Sequence, residues 1–162
     1  MIKYLKQNIN PKGRKTGDCS TRAIANTLDI SYEDALLLQF NEAKKHYYGL
    51  TNKETADAIM KHFGYEKQKQ PRKFDNTKYT VNELDSVCSA AQLQEGVLVL
   101  VANHFTCVKG GTIRDIWDCG SKTVGNYWVK VGEPDSTVKC VEKVKRTVDG
   151  TPVASAKRRF CL

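Results

Sequence analysis

The chain has 162 residues, enough for one domain whose core needs neither disulfide nor metal staples. Its hydrophobic (40%) and charged (27%) content is that of an ordinary soluble globular protein; no apolar run reaches membrane-span length, and residues 1–16 lack the apolar centre of a signal peptide. The net charge of +8 is concentrated in Lys3, Lys6, Lys12, Arg14 and Lys15, in Lys67, Lys69, Arg72, Lys73 and Lys78, and in Lys157, Arg158 and Arg159. Such runs attract polyanions or simply solvate a surface, and the aromatic residues are not interleaved with them as single-strand binding requires.

Six scattered cysteines (Cys19, Cys88, Cys107, Cys119, Cys140 and Cys161), none in a CxxC pair, read as reduced thiols of a cytoplasmic protein. His104 and Cys107 lie at a spacing that points them to opposite faces of a strand, so no metal site is expected. Nothing in the sequence calls for a cofactor.

Residues 1–16 read as an extended arm ending in the turn Asn10-Pro11-Lys12-Gly13. After Gly17 the spacing of Ala23, Ile24 and Leu28 predicts a helix from Cys19 to Leu28, with the side chain of Asp18 or Ser20 as its cap. A second helix starts after Ser31, a cap backed by Asp34, has an apolar face of Ala35 and Leu38 with room for Leu36 and Phe40, and fades near Lys45. Asn52 caps a third helix through Ala56, Ile59, Met60 and Phe63, stopped by Gly64. Residues 66–79 read as a basic loop with room for one short strand. The capping box Thr80-Val81-Asn82-Glu83 predicts a fourth helix through Leu84, Val87 and Ala91.

Beyond Gly96 the pattern changes to strand. Val97 to Ala102 is continuously apolar and rich in β-branched residues, as in a strand buried on both faces. His104 to Val108 and Thr112 to Asp118 flank Gly110-Gly111, a two-residue hairpin turn, and another strand covers Tyr127 to Val131. Helices followed by an antiparallel sheet make an α+β domain over residues 1–132. Residues 133–162 are expected to be a basic extension, with an edge strand over Thr137 to Val148 and a weakly ordered last dozen residues.

Cys19 opens a helix, where unpaired N–H groups and the helix dipole favour a thiolate. With Lys109 and Thr112 flanking the turn, facing residues of the hairpin have numbers summing to 221. His104 then opposes Trp117, Thr106 opposes Asp115, and all four share one face. Asp115 is the diagonal neighbour of His104, while Asp118 points away unless a bulge intervenes. A helix-start thiol, a strand imidazole and an acid on the next strand are the set that a thiolate–imidazolium pair needs.

The order and setting of Cys19, His104 and Asp115 resemble the papain-like cysteine peptidase superfamily. His104-Phe105-Thr106-Cys107-Val108 and Asp115-Ile116-Trp117 are similar to its histidine strand and Asn-x-Trp strand, and Gly125-Asn126-Tyr127-Trp128 to its Gly-x-Tyr strand. Asn10-Pro11, Gly17-Asp18-Cys19 and Thr21-Arg22-Ala23-Ile24 further resemble small uncharacterised papain-like proteins of phages and prophages, over about the first 130 residues.

The resemblance implies a cysteine hydrolase in which Cys19 attacks a peptide, isopeptide or other amide carbonyl. His104 protonates the leaving amine, Asp115 or Asp118 orients His104, and Trp117 shields the His–acid bond. Acyl transfer to an amine would use the same groups. The sequence departs from the family at Gly13, where a glutamine donor to the oxyanion is usual; Asn10, Asn8 or Gln7 stands as the replacement. The competing reading is a non-catalytic phage protein on this scaffold, binding a host protein or nucleic acid through its basic surface.

Overall fold

A computed structural model describes residues 1–135 of the chain. The elements are β1 (Lys3–Lys6), α1 (Cys19–Leu28), α2 (Tyr32–His46), α3 (Lys53–His62), β2 (Tyr65–Gln68), a 3-10 helix (Val81–Ser86), α4 (Ala90–Glu95), β3 (Val97–Val101), β4 (His104–Lys109), β5 (Thr112–Asp115) and β6 (Tyr127–Lys130). They build an α+β architecture with a six-stranded sheet in the order β1-β5-β4-β3-β6-β2. Thr137 to Val148 and the rest of the expected extension beyond Asp135 lie outside the described residues.

The sheet is mixed where an antiparallel one was expected. The N-terminal arm joins it as β1, parallel to β5, with Lys3 facing Thr112 and Lys6 facing Asp115. All other ladders are antiparallel. The loop over residues 66–79 contributes β2, which closes the far edge against β6.

Side-chain alternation divides the core. Leu98, Phe105 and Trp128 point to the face covered by α1, α2 and α3, where they meet Ile24, Leu28, Ile59 and Met60. Val97, Val99, Val101, Val108 and Ile113 point to the other face and pack on Val81 and Leu84 of the 3-10 helix and Leu93 of α4. The unbroken apolar run of β3 reflects this burial on both sides.

Local signals account for most boundaries. The Ser31 hydroxyl accepts the Asp34 N–H at 3.0 Å and starts α2. Asp29 and Tyr47, in the left-handed region at φ 54° and 57°, end α1 and α2.

The expected fourth helix is instead two pieces. The Thr80 box starts the 3-10 helix, and a second box, Ser89 with Gln92, restarts the chain as α4. The Asn52 side chain makes no capping bond, although α3 begins where expected. At the β4–β5 turn both glycines have positive φ, 57° and 70°, as a type I′ hairpin requires. Among the described residues, no helix is long and apolar enough to cross a membrane.

Candidate active site

The observed β4–β5 register pairs Cys107 with Arg114, Val108 with Ile113 and Lys109 with Thr112, the pairing expected from the Gly110-Gly111 turn. It brings His104 and Asp115 together on one face. His104 Nε2 donates to Asp115 Oδ2 at 2.6 Å, and the Ile116 N–H donates to Asp115 Oδ1 at 2.7 Å. Asp115 is only 4% exposed.

Burial by itself would raise the carboxyl pKa of Asp115. The hydrogen bond and charge of His104, the neighbouring Thr106 hydroxyl and the Ile116 N–H outweigh that and hold it below the ordinary value. The buried acid is therefore ionised and fixes the imidazole orientation.

Cys19 begins α1, and its thiol meets the His104 imidazole where β3 turns into β4. With Nε2 committed to Asp115, Nδ1 is the ring nitrogen left for the sulfur. Burial works against the charged ring of His104, but hydrogen bonds to Asp115 and Cys19, with their charges, carry its pKa up to about 9. Burial likewise opposes the Cys19 thiolate. The hydrogen bond of His104, the backbone N–H of Phe105, and the charges of His104 and Arg22 overcome it and bring the thiol below its ordinary value.

The contrast with the other described cysteines is sharp. Cys88, Cys107 and Cys119 are buried, and burial pushes each thiol up to about 11. Cys19 is the one described thiol set up as a nucleophile.

Trp117 stands edge-on to His104, with ring centroids 5.0 Å apart at an interplanar angle of 77°. It is 42% exposed, so it covers the imidazole as a partly open lid, not as a core residue. Asp118 is exposed, and its Oδ1 accepts the N–H of Gly120 at 3.0 Å. The structure thus brings Asp115, not Asp118, to the imidazole.

The expected oxyanion donors are placed differently from one another. Asn10 is buried in its own turn, where Nδ2 donates to Asp18 Oδ2 at 2.7 Å and Oδ1 accepts the Lys12 N–H at 2.8 Å. The Asn8 amide donates to the Arg14 carbonyl. Gln7 continues the β1 ladder through its N–H to the Asp115 carbonyl at 2.8 Å. By alternation from Leu5, which faces Arg114, the Gln7 side chain lies on the face that α1 covers. Its Oε1 is buried and has no hydrogen-bond partner. The Cys19 N–H, first in its helix, has no intrahelical acceptor.

A cleft of about 670 Å³ opens beside the thiol, lined by Gly17, Cys19, the start of α3 from Thr51 to Glu54, Leu100, and the β3–β4 turn through Phe105. Gly17 bends the chain into it at φ +78°. The sequence reading missed two contributors. Arg22 pairs with Asp18, and the i,i+4 spacing of opposite charges was the signal for it. Tyr32 donates to Asp18 Oδ2 at 3.2 Å and carries no sequence signal. The expected side-chain cap of α1 is likewise corrected: Asp18 occupies the cap position without capping, because its carboxylate is taken by Arg22, Asn10 and Tyr32. No protein-family model, no curated protein and no solved structure matches the chain.

Proposed function

We propose that the protein is a cysteine hydrolase of the papain-like kind acting on amide bonds of peptides or proteins. The observation that carries this reading is His104 held between a buried, ionised Asp115 and the only described thiol whose pKa lies below the ordinary value.

In this reading the Cys19 thiolate attacks the carbonyl carbon. The oxyanion that forms is met by the Cys19 N–H and the Gln7 amide; Gln7 is favoured over Asn10 because Asn10 already serves Asp18. The imidazolium gives its proton to the departing amine, leaving a thioester on Cys19. Neutral His104 then takes a proton from water, which attacks the thioester carbonyl; the C–S bond breaks, the carboxylic acid leaves, and the thiolate–imidazolium pair is restored. Asp115 keeps the ring oriented through both steps. An amine entering in place of water would make the same site an acyl transferase.

Support comes from geometry and charge together with the motifs around Cys19, His104 and Trp117. The experiment is hydrolysis of a fluorogenic peptide-amide library by the full chain and its variants. Activity is expected to vanish in Cys19→Ala and His104→Ala, to fall at least about tenfold in Asp115→Asn, and to survive in Asp118→Asn. Activity that persists in Cys19→Ala would remove the proposal.

A further inference from the structure

Asp18 stands immediately before the nucleophile and is 7% exposed, yet it does not cap the helix that carries Cys19. Its carboxylate gathers Arg22 one turn further along α1, the Asn10 amide at 2.7 Å from the preceding turn, and the Tyr32 hydroxyl at 3.2 Å from the start of α2. Three separate segments are thereby tied to the residue that sets the position of Cys19.

Arg22 is 4% exposed, and it is the only lysine or arginine buried among the described residues. Its Nε makes no hydrogen bond, so the guanidinium is not saturated by the pair with Asp18. A buried ion pair is a poor way to stabilise a fold, because apolar side chains of similar volume generally do as well or better. This pair flanks Cys19 in the chain, Asp18 directly before it and Arg22 three residues after it, which points to a role in the site. Cys19, Arg22 and Asn26 recur at helical spacing along one side of α1.

The charged groups around Cys19 are His104 from β4, Arg22 and Asp18 from α1 and its approach, and Lys53 and Glu54 across the cleft at the start of α3. Lys53 and Glu54 are adjacent and opposite in sign. Arg22 is thus the one buried permanent cation among these groups, three residues along α1 from Cys19.

We propose that Arg22, clamped by Asp18, is a positioning residue for the nucleophile: it fixes the turn that presents Cys19 and lends standing positive charge to its thiolate. This rests on the reading of Cys19 as a nucleophile. His104 carries a proton that moves during reaction, whereas the charge of Arg22 never leaves. The thiolate therefore keeps one electrostatic partner when the imidazolium has given up its proton. Asp18 in turn limits the field of Arg22, so that the sulfur is not stabilised to the point of losing nucleophilicity.

The test is the pH dependence of Cys19 alkylation by iodoacetamide in the full chain, followed by peptide mapping, with folding checked by circular dichroism. Arg22→Lys, which keeps the charge, is expected to retain the wild-type inflection. The double variant Asp18→Asn/Arg22→Met leaves no buried charge unpaired. It is expected to move the inflection to higher pH and to slow alkylation at pH 6 about threefold, the effect of half a pH unit on the thiolate fraction.

Asp18→Asn alone unmasks Arg22 and is expected to move the inflection to lower pH, which decides the matter independently if the double variant does not fold. A folded double variant with the wild-type profile, or an Asp18→Asn profile that does not move, overturns the proposal while leaving the hydrolase reading intact. An ordinary, slow Cys19 thiol in the wild type overturns both.

Discussion

At the scale of residues, three side chains share a set of protons whose distribution the fold changes. In the unfolded chain between about pH 6.5 and 8.5, the thiol is protonated and the imidazole neutral. In the folded pair the proton sits on His104, whose pKa is about 9, and Cys19 is shifted towards thiolate. The proton that the folded state gains on His104 is opposed by the one that Cys19 tends to lose, so the two groups pull the pH dependence of wild-type stability in opposite directions.

Removing the thiol breaks that balance. In Cys19→Ala, His104 keeps the upward push of Asp115, its largest favourable influence. A raised imidazole pKa stabilises the fold fully below about pH 6.5 and progressively less as pH climbs through the folded value. Urea midpoints of Cys19→Ala are therefore expected to fall from pH 6.5 to 9 relative to Cys19→Ala/His104→Gln. Parallel curves for the two variants would mean that Asp115 does not hold the imidazole.

At the scale of elements, the junctions that hold the sheet together depend on backbone, and one of them depends on a single glycine. Gly64 links α3 to β2 at φ +78°, its carbonyl accepts the N–H groups of Val131 and Gly132, and a Cβ there would sit 2.3 Å from the Gly132 carbonyl oxygen. Neither atom is the end of a flexible side chain, so the clash has no easy relief. Gly64→Ala is expected to lower stability by about 2 kcal/mol or more in urea titration. A loss of a few tenths would show that this edge of the sheet is not fixed as described.

Element-level signals were also the ones most readable in the sequence. The apolar spacing behind Cys19, the Ser31 cap, the Gly110-Gly111 turn and the alternation around His104 each act over a few residues, and together they locate the thiol, the imidazole and Asp115. The departures come from contacts between distant segments. The pairing of Lys3–Lys6 with β5 is parallel and bridges more than a hundred residues. Nothing local in the lysine-rich arm specifies it. The Ser89-Gln92 box was legible but lay within the longer helix suggested by Leu84, Val87 and Ala91. The position of Asp18 fits a cap, but its carboxylate goes to Arg22 on the same helix and to Asn10 and Tyr32 on other segments, and these last two contacts have no local signal.

At the scale of the whole molecule, the described positive charge is divided. The exposed lysines of β1 and the following arm lie at one edge of the sheet, while Lys67 is on β2 at the opposite edge. Lys67 is already drawn to Asp57, and Lys73 to Glu83 at 2.6 Å. Among the described residues such an arrangement solvates a surface and does not form one continuous groove for a phosphate backbone. Titration of double-stranded DNA binding against salt is expected to give a shallow slope, on the order of two or three phosphate contacts or fewer. A steep slope would turn attention to the reading in which the basic surface carries the function.

The reactive thiol unites all three scales, since it needs the Asp115–His104 bond, the β4–β5 register and the placement of α1 on the sheet. The most direct measurement is the rate of iodoacetamide alkylation of Cys19 across pH 4–10, resolved from the other five cysteines by peptide mapping, in wild type and in His104→Ala. The account predicts that Cys19 reacts well below the ordinary thiol range of about pH 8.5, ahead of the buried Cys88, Cys107 and Cys119, and that His104→Ala returns it to that range. A Cys19 that titrates near pH 8.5 in both proteins would contradict the thiolate–imidazolium pair and the hydrolase reading with it.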